Sequence, residues 1–246
     1  MLPVSVVIVT KDEERNIKDA LESVAGAAEI VVVDSFSSDR TIEICKSYTD
    51  KIFQSPWEGY ARQKQKAVDY AKGPWVLILD ADERLTPELG DEITAVLSKP
   101  GPDGFYLPRK NFFLGRWIKH SGWWPDHTLR LFRKDKAFIE DREVHEKVVL
   151  EGNAGHLENP LLHYTYRTIS DFLGKMENYS ALAAKEIRKN SGSPGLFSIT
   201  VKPVFTFMKM FFLRLGFLDG THGLILAVLY SYYTFLKYVR AWEKPY

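Results

Sequence analysis

The strongest constraint on the fold is the alternation of the first 80 residues. Apolar runs give way to amphipathic segments and return, with only a few residues between them. Val4 to Thr10 is a β-branched run, and β-branched side chains favour strands. Ile17, Ala20, Leu21 and Val24 follow at helical spacing, with Asp12 or Asn16 as the expected cap. Glu29 to Asp34 repeats the strand pattern. Arg40 to Tyr48 repeats the helical one, with apolar residues at 42, 44, 45 and 48. Lys51 to Gln54 is a short third strand, and Tyr60 to Ala71 a third helix that Gly73-Pro74 ends. Trp75 to Leu79 is the fourth strand. These strands are continuously apolar, the mark of strands covered on both faces. A β-α-β-α-β-α-β order then calls for an α/β fold, a mostly parallel Rossmann-like sheet with flanking helices and right-handed crossovers.

Two of these strands end in acids. Asp34 closes the second, and Asp80-Ala81-Asp82 follows the fourth. Parallel strands bring both ends to one edge of the sheet, where open α/β folds bind ligands. Unpaired carboxylates are costly in a core. A pair of them suits a Mg²⁺ or Mn²⁺ that takes its remaining ligands from water and phosphates. The first strand lacks a Gly-x-Gly-x-x-Gly turn, and no Gly-x-x-x-x-Gly-Lys-Ser/Thr occurs. The first absence argues against a nicotinamide-type dinucleotide site and the second excludes a P-loop; a strand end with solvated acids is the competing reading of Asp80 and Asp82. A metal–diphosphate site remains.

Past Glu83, Pro87 to Leu97 reads as a helix. Gly104 to Pro108, Leu129 to Arg133, Ala137 to Ile139 and Val148 to Leu150 read as strands. Between Asn111 and Arg133 aromatic and basic residues crowd together, among them Trp117, Trp123, Trp124, Arg116 and Arg130. Indole faces suit sugar rings, and guanidinium groups suit phosphates. The net charge of +1 gives no global field for nucleic acid. Ser170 to Lys189 is an amphipathic helix with a Ser cap and Asp171 in its first turn. From Leu196 to Arg240 there are five Lys/Arg and one acid, Asp219. The run Gly223 to Leu236 has 14 uncharged residues, short of the roughly 20 a spanning helix needs. Two short amphipathic helices with a basic face suit a membrane interface. A hairpin packed on the protein, or an oligomer contact, is the competing reading. Cys45, the only cysteine, reads as a small buried hydrophobe and fits a reducing compartment. Met1-Leu-Pro leads straight into a strand, so no signal peptide is expected.

Four ordered stretches together resemble the inverting family 2 glycosyltransferases of GT-A fold. They are Val4–Glu14, Val31–Thr41 with Asp34-Ser-x-Ser-x-Asp39, Gly59–Ala67, and Trp75–Glu83. The lipopolysaccharide-core β-glucosyltransferase type is the nearest likeness. Gly115-Arg-Trp, Trp123-Trp-Pro-Asp126, Leu129-Arg-Leu-Phe-Arg133, Val144-His-Glu146 and Leu162-His-Tyr164 extend it over nearly the whole chain. Gln65 departs from it, standing where relatives carry Asn. The resemblance implies a nucleotide-sugar donor, UDP-linked by preference. Asp34 would meet the nucleoside, with Thr10, Lys11 and Glu13 lining that pocket. Asp80 would touch ribose or sugar, Asp82 would ligate the metal, and Arg62 or Lys64 would add cationic contacts. His145 or His163 would complete the metal or diphosphate shell, whereas His120, His127, His156 and His222 read as structural.

Inversion by single displacement needs a carboxylate beside the acceptor hydroxyl. Glu146, Asp126 and Glu143 are candidates, and the family pattern favours Glu146. The expected division is a nucleotide-sugar half (1–100), an acceptor half (101–168) and a C-terminal helical membrane-associating region (169–246). The expected function is metal-dependent transfer of a hexose to a membrane glycolipid such as lipopolysaccharide inner core. The protein would sit peripherally on the cytoplasmic face of the inner membrane, attached through residues 197–240. A nucleotidyltransferase of related fold is one alternative, disfavoured by the acidic Lys11-Asp-Glu-Glu14. The other is a non-catalytic carbohydrate-binding scaffold, disfavoured by the joint presence of Asp80, Asp82 and Glu146.

Overall fold

The computed structural model describes residues 1–140 and 147–243. Leu2–Thr10 (β1), Ala27–Asp34 (β2), Ile52–Gln54 (β3) and Trp75–Ile78 (β4) lie in the order β3-β2-β1-β4, all parallel. Ile17–Ser23 (α1), Thr41–Cys45 (α2) and Tyr60–Tyr70 (α3) are the connections. Val4, Val6, Ile8, Val31, Val32 and Val33 are wholly buried, as continuously apolar strands require. Asn16 stands at the head of α1, but its side chain does not cap it; the amide donates to Glu13 Oε2 (2.7 Å). Helix α2 is shorter than its apolar spacing suggests. Gly73 marks a close approach: a Cβ there would fall 2.6 Å from Ser5 Oγ.

Beyond β4 most pairings are antiparallel, although residues 154–156 join 104–106 in parallel. A two-residue strand, Glu83–Arg84 (β5), precedes Pro87–Leu97 (α4), whose Thr86 cap accepts from the Leu89 amide (3.2 Å). Gly104–Phe113 (β6), Arg116–Trp117 (β7), Asp126–Arg133 (β8), Ala137–Glu140 (β9), Lys147–Leu150 (β10), Ala154–His156 (β11) and Leu161–Tyr166 (β12) follow. The sheet order continues β4-β8-β6-β12-β5, and β9 pairs with β10 separately. The mixed sheet, parallel through β3-β2-β1-β4, bears out the α/β class.

The chain forms two compact units. The first holds residues 1–109 and 126–163, the second 110–125 and 164–246. The second is built around Phe113, Ile118, Tyr166, Phe172, Met176 and Leu226. Its helices are Ile169–Ser191 (α5), Leu196–Met208 (α6), continued by a π-helical turn at Lys209–Leu213, and Gly220–Trp242 (α7). The cap of α5 is Thr168, not Ser170: Thr168 Oγ accepts from the Asp171 amide (3.1 Å), and Asp171 accepts from the Thr168 amide (2.9 Å). Nor is the last helix short, since α7 has 23 residues. Leu196–Leu213 is long and apolar enough to cross a membrane by length and composition, with a mean hydropathy of 1.5. Leu196, Phe197, Val204, Phe205 and Leu213 are mostly exposed.

Candidate active site

The carboxyl ends of β1, β2 and β4 meet at one edge. Thr10 and Asp34 are Cα partners across β1 and β2, and both are buried. Asp34 accepts from the Ser37 amide (2.9 Å), the Ser37 hydroxyl (2.5 Å) and Gln54 Nε2 (3.2 Å). Its neighbours are therefore donors, the environment a nucleoside-binding acid needs. Lys11 is exposed. Glu13 anchors the loop from the other side, its amide donating to Thr41 Oγ1 (2.8 Å). Asp39 gathers amides from Glu14 (3.0 Å) and Thr41 (2.9 Å). Desolvation opposes its charge, but these bonds and the Thr41 hydroxyl hold its carboxyl below the usual range.

Helix α3 presents Lys64 to this edge rather than Arg62, which is exposed. Lys64 Nζ lies 2.9 Å from Asp80 Oδ1, and Arg130 Nη2 lies 2.5 Å from Asp80 Oδ2. Burial works against the Asp80 charge, but Arg130 and Lys64 outweigh it and hold its carboxyl well below the usual range. Arg130 also reaches the fully buried Glu83 (2.9 Å). Glu83 accepts from the Asp80 amide (3.0 Å) and from Arg109 Nη1 (3.3 Å). Arg109 closes the chain on Asp126, 2.7 Å away. The result is an alternating row, Lys64–Asp80–Arg130–Glu83–Arg109–Asp126, in which each buried charge meets its opposite. Gln65, the departure from the family pattern, accepts from the Ile139 amide (2.8 Å) and donates to Asp69 Oδ1 (2.8 Å).

Asp82 stands apart from that row. Its Oδ2 lies 3.5 Å from His163 Nε2, and both side chains are largely buried. A carboxylate and an imidazole nitrogen at this separation fit one divalent cation of the Mn²⁺ or Mg²⁺ kind. Among the described residues no three His, Cys, Asp or Glu side chains gather into a metal cluster. The donor set suits a cation that completes its shell with phosphate and water. His145, Glu143 and Glu146 lie outside the described residues.

Glu83 closes the Trp75–Glu83 stretch, yet that stretch assigns it no role, and Arg109 lies in none of the recognised stretches. Arg109 sits within β6 and Glu83 in a two-residue strand, and their pairing spans 26 residues of sequence.

A model of glycosyl transferase family 2 matches residues 5–149. The chain is similar to a lipopolysaccharide core biosynthesis glycosyltransferase, LpsC, of Rhizobium meliloti. The two are 30% identical over 99% of this chain and 93% of that protein. It is 29% identical to an uncharacterized glycosyltransferase of Rickettsia typhi, over 99% of this chain and 88% of the relative. In fold it is similar to S. aureus TarS 1-349 in complex with UDP-GlcNAc (TM-score 0.52, 18% identity, 96% of this chain and 89% of that one). It is likewise similar to a mannosyltransferase of Pyrobaculum calidifontis in complex with GDP-Man and Mn²⁺ (TM-score 0.54, 14% identity, 97% and 86%).

Proposed function

The chain belongs to glycosyltransferase family 2, and from that premise we propose that it moves a hexose from a nucleotide-diphosphate sugar to a membrane glycolipid. The observation that carries the donor half is the pairing of Asp82 with His163 at 3.5 Å, beside an Asp80 locked by Lys64 and Arg130. Asp82 and His163 would hold the divalent cation, with His145 as a further candidate ligand. When bound, that cation neutralises charge on the leaving diphosphate. The nucleoside lies against Asp34 and Thr10, with Lys11 and Glu13 at the loop beyond them. Asp80, fixed in its ionised form, accepts hydrogen bonds from ribose or sugar hydroxyls. Lys64 supplies the cationic contact beside Asp80, and the exposed Arg62 is the second candidate for one.

The acceptor hydroxyl gives its proton to Glu146 as its oxygen attacks the anomeric carbon. The bond from that carbon to the diphosphate oxygen breaks on the opposite face, and the configuration inverts. Asp126 is the other candidate base. Its engagement by Arg109 (2.7 Å) favours Glu146 for the role. The similarity to a lipopolysaccharide core enzyme supports a lipid-linked saccharide as acceptor. So do the exposed apolar side chains of α6 and the turn after it, set among Lys202, Lys209 and Arg214. The protein acts peripherally, at the cytoplasmic face of the membrane that carries the acceptor.

A panel of nucleotide sugars incubated with the enzyme and Mn²⁺ tests the reading, with release of nucleoside diphosphate as the signal. Turnover of a UDP-hexose is expected. No turnover of any nucleotide sugar overturns it.

A further inference from the structure

The first unit contains a cavity of about 380 Å³ beside the site. Lys64, Arg109, Arg130 and Lys147 line it, and among the described residues Asp80 is the one lining carboxylate. Three of those cations are already spoken for. Lys64 and Arg130 hold Asp80, and Arg109 holds Glu83 and Asp126. Lys147 differs. It is exposed, and no described carboxylate lies within ion-pair distance of it. His127, also in the lining, has its ring 5.2 Å from that of His156, which stacks on Tyr106 at 5.1 Å. Thr128 adds a hydroxyl that is buried and without a hydrogen-bond partner. The wall is thus rich in donors, while its acceptors are consumed internally. A buried donor left unsatisfied is costly, and an anionic ligand oxygen satisfies it.

We propose that this cavity is an acceptor subsite for a tetrahedral or planar anion, a phosphate or carboxylate carried by the saccharide. Lys147 supplies the charge, Thr128 a fixed hydrogen bond, and Tyr106 with His127 the wall against a sugar ring. The elements support the acceptor rather than the donor as the source of the anion. The cavity shares Lys64 and Asp80 with the donor edge, but Thr128, His127 and Tyr106 belong to β8 and β6 and Lys147 to β10, on the side away from Thr10 and Asp34 at the ends of β1 and β2. The proposal rests on the glycosyltransferase reading and narrows its acceptor to an acidic saccharide. Lysine and threonine hold phosphate by point charge and hydrogen bond, and the aromatic rings add stacking.

The test uses the full-length protein with inorganic phosphate and acetate as probes, titrated calorimetrically with and without saturating UDP and Mn²⁺. Phosphate or acetate is expected to bind in the presence of UDP. Lys147→Met should weaken that binding at least tenfold, Lys147→Arg should retain most of it, and Thr128→Val should cost several-fold. Lys147 is exposed, so its variants fold. Which probe binds more tightly tells a phosphate-bearing acceptor from a carboxylate-bearing one. Loss of anion binding once UDP is present would overturn the proposal, because the anion would then occupy the donor diphosphate position. Equal binding by the wild type and Lys147→Met would overturn it as well. Failure of UDP itself to bind would sink the donor reading separately, leaving the anion result legible.

Discussion

Glu83→Gln tests the charge row most severely. Glu83 is fully buried and accepts from Arg130, Arg109 and the Asp80 amide. Glutamine keeps a carbonyl oxygen for the two guanidiniums at the Oε1 position and turns the Oε2 position into a donor that faces the Asp80 amide. Two largely buried cations then lose their shared anion. Removing one partner of a buried pair costs about 3–5 kcal/mol. For a chain of this size each kcal/mol shifts the melting temperature by about 2–4 °C, so the melt should fall by roughly 6–20 °C. Thermal unfolding of the full-length protein by far-UV circular dichroism reads this directly. Asp135→Asn is the control. It breaks the Arg133–Asp135 pair (2.8 Å), but both side chains are exposed, and exposed pairs add little. Because the Asp80 amide also bonds Glu83, sugar transfer should fall further than stability alone accounts for. A drop of less than 2 °C, or one equal to that of the control, refutes the claim that this row organises the site.

Three more outcomes are expected. Glu29 is desolvated, yet Lys51 (2.6 Å), Ser5 and the Lys72 amide (2.7 Å) hold its carboxyl down, from 4.5 to about 2. A depressed folded-state value gives stability that is whole above pH 4.5 and lost as pH falls toward 2. Glu29→Gln should therefore cost about 3 kcal/mol at pH 7, and the gap to wild type in denaturant melts should close between those values; a gap that does not change with pH contradicts it. His163→Ala should raise the Mn²⁺ concentration needed for half-maximal activity about 10- to 100-fold, and unchanged metal dependence would remove His163 from the site. Phe205→Asp with Leu213→Asp should lower partitioning onto anionic liposomes at least tenfold, since burying each such side chain is worth about 1.5–3 kcal/mol. Unaltered sedimentation with vesicles contradicts the membrane face.

The parallel half was legible because its strands are buried on both faces and its helices carry one apolar stripe. The boundaries of α4 come out as read, since Thr86-Pro87 is a strong start. Strands β5, β7 and β11 have two or three residues each, too few for any period to register; the neighbouring strands order them. Strand β6 runs on to Phe113 through Arg109, Lys110 and Asn111, a polar run that its partner strands hold extended. Thr168 took the cap from Ser170 because Asp171 three residues on completes a capping box with it. At the site, Asp34, Asp80 and Asp82 announced themselves as acids closing apolar strands. The partners of Asp80 and Glu83 did not. Arg130 is 50 residues from Asp80 and 47 from Glu83, and only the folded sheet, with β8 beside β4, joins them.

The central claim is that Asp82 holds the cation on which donor binding depends. Calorimetric titration of UDP into wild type and Asp82→Asn, each with and without Mn²⁺, tests it most directly. Mn²⁺ should tighten UDP binding to the wild type at least tenfold and leave UDP binding to Asp82→Asn unchanged. An equal gain from Mn²⁺ in both proteins, or none in the wild type, would contradict it.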